Sequence, residues 1–259
     1  MRAPGISRVA RAPERRPVPV SLETAVYSGL VVFLAYWVRG MAGFGSGLIA
    51  VPLLTLMWPV TLVVPVVVAL DYLGSASQGI GNVDQVAWPE QLVLIPFMVV
   101  GVAAGLWLLY AVSTALLAKI LGGFVIAYAI YQMLPLPELH GSRAAATYCG
   151  FLGGLVGTLF GTGGPFYVIY LNLRGLDRSV FRATFAMNFL IDGGVRLAAF
   201  IAAGLYHRQT LGYLLAAIPV AGAGLYVGGR IQTGFSPRAF QLVIRILLLT
   251  SGLALLLKR

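Results

Sequence analysis

Cysteine, histidine and acidic residues are nearly missing from this chain. One cysteine, Cys149, in 259 residues leaves no internal disulfide and no Cys-cluster metal site. Two histidines, His140 and His207, leave no His-rich metal centre. Charged residues make up only 10%, against about 25% in an ordinary soluble domain. That scarcity excludes a soluble globular fold. Neither an H-E-x-x-H metal motif nor a G-x-S-x-G nucleophile turn occurs. No histidine lies within an apolar segment to activate Ser46. Enzymatic activity is therefore not expected, and neither a metal nor any other cofactor is called for.

What is abundant is apolar. Hydrophobic residues reach 59% and the mean hydropathy is +0.90. Runs of about 20 residues, long enough to span a bilayer, recur at 22–43, 60–81, 91–111, 115–134, 144–160, 183–204, 210–230 and 239–257. Unpaired backbone cannot face lipid, and no alternating barrel pattern is present. The expected fold is an all-α polytopic bundle of about eight spanning helices. Two further apolar stretches, 47–57 and 164–173, are too short to span and each follows a glycine cluster. They read as broken or re-entrant helices.

The net charge of +10 owes much to residues 1–20, which hold Arg2, Arg8, Arg11, Arg15 and Arg16. This stretch is expected to be a disordered basic tail that helps orient the protein, not a nucleic-acid arm. Residues 21–259 form one transmembrane domain. The tail favours a cytoplasmic N-terminus. Arg174, Arg178 and Arg182 fall on the opposite side if eight segments cross, so the two signals conflict.

The chain repeats itself. At an offset of 123, Gly81, Pro96, Gly101, Gly105 and Ser113 meet Gly204, Pro219, Gly224, Gly228 and Ser236. At 116, Gly45 and Gly47 meet Gly161 and Gly163; at 117, Asp71 meets Asn188. Two related halves are expected, 22–137 and 143–259. Four crossings per half would make them parallel, and another count would invert them. Transporters are often built from such repeats, with the substrate between them.

The first glycine cluster runs from Arg39 through Gly43, Gly45, Ser46 and Gly47 to Pro52. The second holds Gly157, Gly161, Thr162, Gly163, Gly164 and Pro165, followed by Phe181-Arg182-Ala183-Thr184. At these residues the chain resembles the sulfite exporter TauE/SafE family of membrane transporters, over nearly all of its length after residue 20. Ser46 departs from the family's first motif, which often has glycine there. The resemblance implies an inner-membrane carrier, in some members for sulfite or organosulfonates.

The residues carry a consistent chemistry. A half-helix starting at a glycine break presents free N–H groups and positive dipole, which bind anions. Ser46 and Thr162 add hydroxyls. The expected substrate site is Gly43, Gly45, Ser46, Gly47, Gly161, Thr162, Gly163 and Gly164, with Arg39 and Asn188 beside it. The bland alternative is close helix packing, which suffices for Gly101/Gly105 and Gly224/Gly228. Charges inside a membrane are usually functional, which marks Asp71, Asp192, Arg196 and Arg245. Asp192 and Arg196 are four apart and can pair. Arg245 has two candidate partners, Asp71 and Asp192.

These readings predict a bacterial inner-membrane transporter of small anions, with export as the expected direction. The alternatives are a passive anion channel and a proton-coupled importer of small carboxylates. The partners are the anion, the bilayer and, as one option, a second copy in a homodimer.

Overall fold

A computed structural model describes residues 21–43, 45–77, 83–133, 141–230 and 237–258. For Ala42, Ser77 and residues 237–244 it describes the backbone alone. The basic tail and Phe44 lie outside the described residues. Ten α-helices are present and no strand occurs among the described residues: α1 Leu22–Ala42, α2 Ser46–Thr55, α3 Val60–Ser77, α4 Trp88–Ala111, α5 Thr114–Tyr131, α6 Ala145–Phe160, α7 Gly164–Leu173, α8 Arg178–Ala202, α9 Arg208–Arg230 and α10 Pro237–Leu257. Five of them, α1, α4, α5, α8 and α9, are long and apolar enough to cross a membrane, and α3, α6 and α10 hold shorter apolar stretches. The fold is the expected polytopic helical bundle.

Local signals set the helix ends. Ser21 caps α1 by accepting the Thr24 N–H at 3.2 Å, as expected of a serine N-cap. Ser113 does the same for α5. Gly43 and Gly161 end α1 and α6 in the left-handed conformation, with φ of 81° and 66°. Only glycine adopts it without a Cβ clash. Pro165 sits in the first turn of α7, where its missing N–H costs nothing.

The two short helices turn back. Tyr27, early in α1, donates to the carbonyl of Leu53, late in α2. The Gly141 N–H, ahead of α6, donates to the carbonyl of Leu173 at the end of α7, at 2.9 Å. So α1–α2 and α6–α7 are antiparallel hairpins, each of which enters and leaves at one face. Three further helices remain in each half, α3–α5 and α8–α10. An odd number of passes per half is what an inverted repeat requires, so the hairpins favour inverted over parallel halves.

Packing follows the same symmetry. α4 lies on α6 as α9 lies on α1, and α3 and α5 each meet their own counterparts, α8 and α10. Glycines let the first two pairs touch. A Cβ on Gly101 or Gly154 would collide with the backbone of the facing helix, as would one on Gly224 or Gly228. Gly101, Gly224 and Gly228 serve packing, as expected, and Gly154 does the same on the facing helix. Trp107, Leu215 and Tyr226 point outward and are well exposed, as suits a lipid-facing surface.

Candidate functional site

The tips of the two hairpins meet. A Cβ on Gly47, in the first turn of α2, would run into the carbonyl of Gly161, at the break between α6 and α7. Where they meet is a cavity of about 20 Å³, lined by Arg39, Gly45, Ser46, Gly47 and Asp71 from the first half, and by Gly161, Thr162, Gly164 and Phe189 from the second. That is room for about one water. Neither α2 nor α7 has a side-chain N-cap. Both present uncapped N-termini with their positive dipole ends to this point.

The first half supplies a dense polar network, in which Arg39 Nε is buried without a partner. Arg39, only 2% exposed, pairs with Asp71 at 3.0 Å. It also donates to the Ser46 hydroxyl, the Asp71 carbonyl and the Ser75 hydroxyl. Asp71 Oδ1 accepts from Ser46 at 2.6 Å and Tyr36 at 2.7 Å. The Ser46 proton is thus committed inside the protein.

The second half is built differently. Arg196 pairs with Asp192 and donates to the Gly157 carbonyl. The guanidinium lies over Gly157, which corresponds to Arg39, as the Arg39 guanidinium lies over Gly74 on α3. Tyr167 lies beside Asp192, yet neither its hydroxyl nor Asp192 Oδ1 has a partner with hydrogen-bond geometry. Thr162 Oγ1 and both amide atoms of Asn188 are also buried without partners.

Of the expected site residues, Arg39, Gly45, Ser46, Gly47, Gly161, Thr162, Gly164 and Asp71 come together. Asp192, Arg196 and Asn188 are buried on α8, outside the cavity lining. Three residues sit elsewhere. Gly43 is an exposed C-cap. Gly163 is pressed on the Gly153 carbonyl. Arg245 donates to the carbonyl of Gln132 at the end of α5, where a cation suits the dipole, and not to Asp71 or Asp192. The breaks also differ in detail from the expectation: Ser46, Gly47 and Gly164 are already helical.

Sequence reasoning missed two groups. Tyr36 and Tyr167 are aromatic residues in apolar runs, and nothing local marks them. Glu90, at the start of α4, holds Arg143 and Arg174 at 3.1 Å each and accepts from Tyr170. Arg143 and Arg174 flank the α6–α7 hairpin, so one carboxylate clamps both its feet. A lone glutamate opening an apolar segment was the available signal.

The sequence pattern of the family described as "Sulfite exporter TauE/SafE" matches residues 28–255. The chain is 30% identical over 197 residues to the "Probable inner membrane transporter protein TsaS" of Comamonas testosteroni, covering 73% of this chain and 80% of that protein. No solved structure matches it.

Proposed function

The chain belongs to the sulfite exporter TauE/SafE family, and from that premise we propose that it carries small anions across the bacterial inner membrane by alternating access. A membrane transporter is what the family and the relative have in common. Sulfite and organosulfonates are the first candidate substrates. The observation that carries the reading is the meeting of Gly47 and Gly161. It brings two uncapped helix N-termini, one from each inverted half, to a single point.

Helix dipoles suit a carrier. They attract an anion with partial charge and hold it less firmly than a cluster of free arginines. The buried arginines are already matched by Asp71 and Asp192. Thr162 offers an uncommitted hydroxyl. A cavity that holds about one water fits a state closed around its site. Admitting a three-oxygen head group requires the hairpin tips to part toward one face, and inverted halves supply the mirror-related opening. Direction depends on what accompanies the anion. An uncoupled monoanion leaving a negative interior gains about 2.3 kcal/mol per 100 mV.

Tracer counterflow in proteoliposomes tests the proposal. Labelled sulfite or sulfonate should accumulate transiently against unlabelled anion on the other side. Flux that runs downhill without exchange is the signature of a pore and would overturn alternating access.

A further inference from the structure

Each half holds one carboxylate beside an arginine and a tyrosine, but the two differ in burial and in donors. The Asp71 side chain is 14% exposed, and three donors, Tyr36, Ser46 and Arg39, converge on its Oδ1. Asp192, 1% exposed, has only Oδ2 engaged, by Arg196. Beyond that it has only the Tyr167 hydroxyl as a neighbouring donor, close enough to interact but outside good hydrogen-bond geometry, and both amide atoms of Asn188 one turn earlier are unpartnered.

Thr184, Asn188, Asp192 and Arg196 recur every four residues, so they form one stripe down α8. All four are buried. The stripe begins where Thr184 Oγ1 accepts the Ala87 N–H, at the face where α4 and α8 start. It ends at Arg196, which reaches Gly157 and feels Asp71 across the centre.

A buried, ionised carboxylate with one idle oxygen is unfavourable. A proton on Oδ1 removes the charge and creates a donor that Tyr167 or Asn188 can accept. We infer that Asp192 binds a proton together with the transported anion, so that the carrier moves one proton with each anion. This rests on the carrier reading above.

Charge balance links the two ligands. With Asp71 and Asp192 ionised, the two pairs sum to zero. A proton on Asp192 leaves Arg196 uncompensated and the two pairs together at +1, and a monoanion in the cavity beside Asp71 restores neutrality. Proton and anion therefore each strengthen the binding of the other, reciprocally. The proton comes from water at the open face, forms an O–H bond at Oδ1, and returns to water at the opposite face when that bond breaks. No electrons move. The groups facing Asp192 are Arg196 on its own helix and Tyr167 on α7. Through Arg196 it also meets Asp71 on α3, with Arg39 of α1 paired to it. With a proton aboard, a monoanion crosses electroneutrally, and the pH and anion gradients set direction in place of the membrane potential.

The test uses the wild-type chain in proteoliposomes with a trapped pH dye. Methanesulfonate and benzenesulfonate serve as probes because they stay ionised across the neutral range. An inward sulfonate gradient should acidify the lumen by one proton per anion, and an imposed potential should leave the initial rate unchanged. Sulfonate flux without proton movement overturns the coupling and leaves the carrier standing. No flux of either probe overturns the sulfonate-carrier reading and the coupling with it. Asp192→Asn gives a second readout, anion binding followed by thermal stabilisation. Wild-type affinity should fall by up to about tenfold per pH unit as pH rises, and the variant should be flat. A variant that keeps the wild-type pH dependence overturns the assignment. If it does not fold, the wild-type proton count decides alone.

Discussion

Gly47 and Gly161 touch across the inverted symmetry, with no room for a Cβ on Gly47 beside the Gly161 carbonyl. Helix α2 and the α6–α7 break can approach only because residue 47 has no side chain. Gly47→Ala should therefore force the hairpin tips apart. Overpacking of this kind costs about 1–3 kcal/mol, and anion exchange should fall sharply. Gly43→Ala is the contrast. Its site is open, but its φ is 81°, so it should lose about 1 kcal/mol of stability and keep exchange. Thermal melts in detergent and counterflow in liposomes check both. Normal exchange by Gly47→Ala would place the substrate elsewhere.

Arg39 and Asp71 form a buried pair whose separation should be costly. Arg39→Met leaves Asp71 with Tyr36 and Ser46 but no cation. Breaking such a pair from one side costs about 3–5 kcal/mol. The double variant Arg39→Met with Asp71→Leu should recover part of the stability, because no charge is then stranded. Equal melting temperatures for the single variant and the wild type would show that the pair contributes little to folding.

Glu90 should matter more than either arginine it holds. Arg143 is 56% exposed, so Arg143→Ala should cost under about 1 kcal/mol, as surface pairs do. Glu90→Ala leaves the Tyr170 hydroxyl without its acceptor and the half-buried Arg174 with only the Gly141 carbonyl, with an expected cost of about 2–3 kcal/mol. Melting of the two variants side by side settles the order. A larger loss from Arg143→Ala would contradict the clamp.

The parts visible in the sequence are those with a local signature. The apolar runs give the long helices. The glycine clusters give the breaks. A spacing of four gives the Asp192–Arg196 pair. The register of the repeat was not legible, because each cluster holds several glycines with different duties. Matching glycine to glycine aligns Gly45 with Gly161 at 116. The C-cap role instead aligns Gly43 with Gly161, and the helix-entry role aligns Gly45 with Gly163, both at an offset of 118. Inversion was hidden too, since it depends on whether α2 and α7 go forward or turn back. That is decided by tertiary contacts such as Tyr27 to Leu53. Glu90 reaches partners 53 and 84 residues away, a distance at which one sequence has no pairing signal.

Ser46 and Thr162 look alike in the sequence, one hydroxyl in each glycine cluster, and the structure separates them. Ser46 donates to Asp71 and accepts from Arg39. Thr162 lines the same cavity, and its Oγ1 is buried without a partner. Thr162→Val keeps the shape and removes only a donor that nothing in the protein uses. Stability should be unchanged or slightly improved, while anion affinity falls by roughly 1 kcal/mol, the net worth of one hydrogen bond. Ser46→Ala should do the reverse. It removes a donor to a buried carboxylate and an acceptor for a buried arginine, so about 1–3 kcal/mol of stability should go. Its effect on affinity should follow from the disturbed Arg39–Asp71 pair and not from a lost contact to the anion. Melting temperatures with and without saturating anion separate the two effects. If Thr162→Val binds as tightly as wild type while Ser46→Ala melts normally and binds weakly, the roles are exchanged, and the anion sits on the α2 side of the cavity.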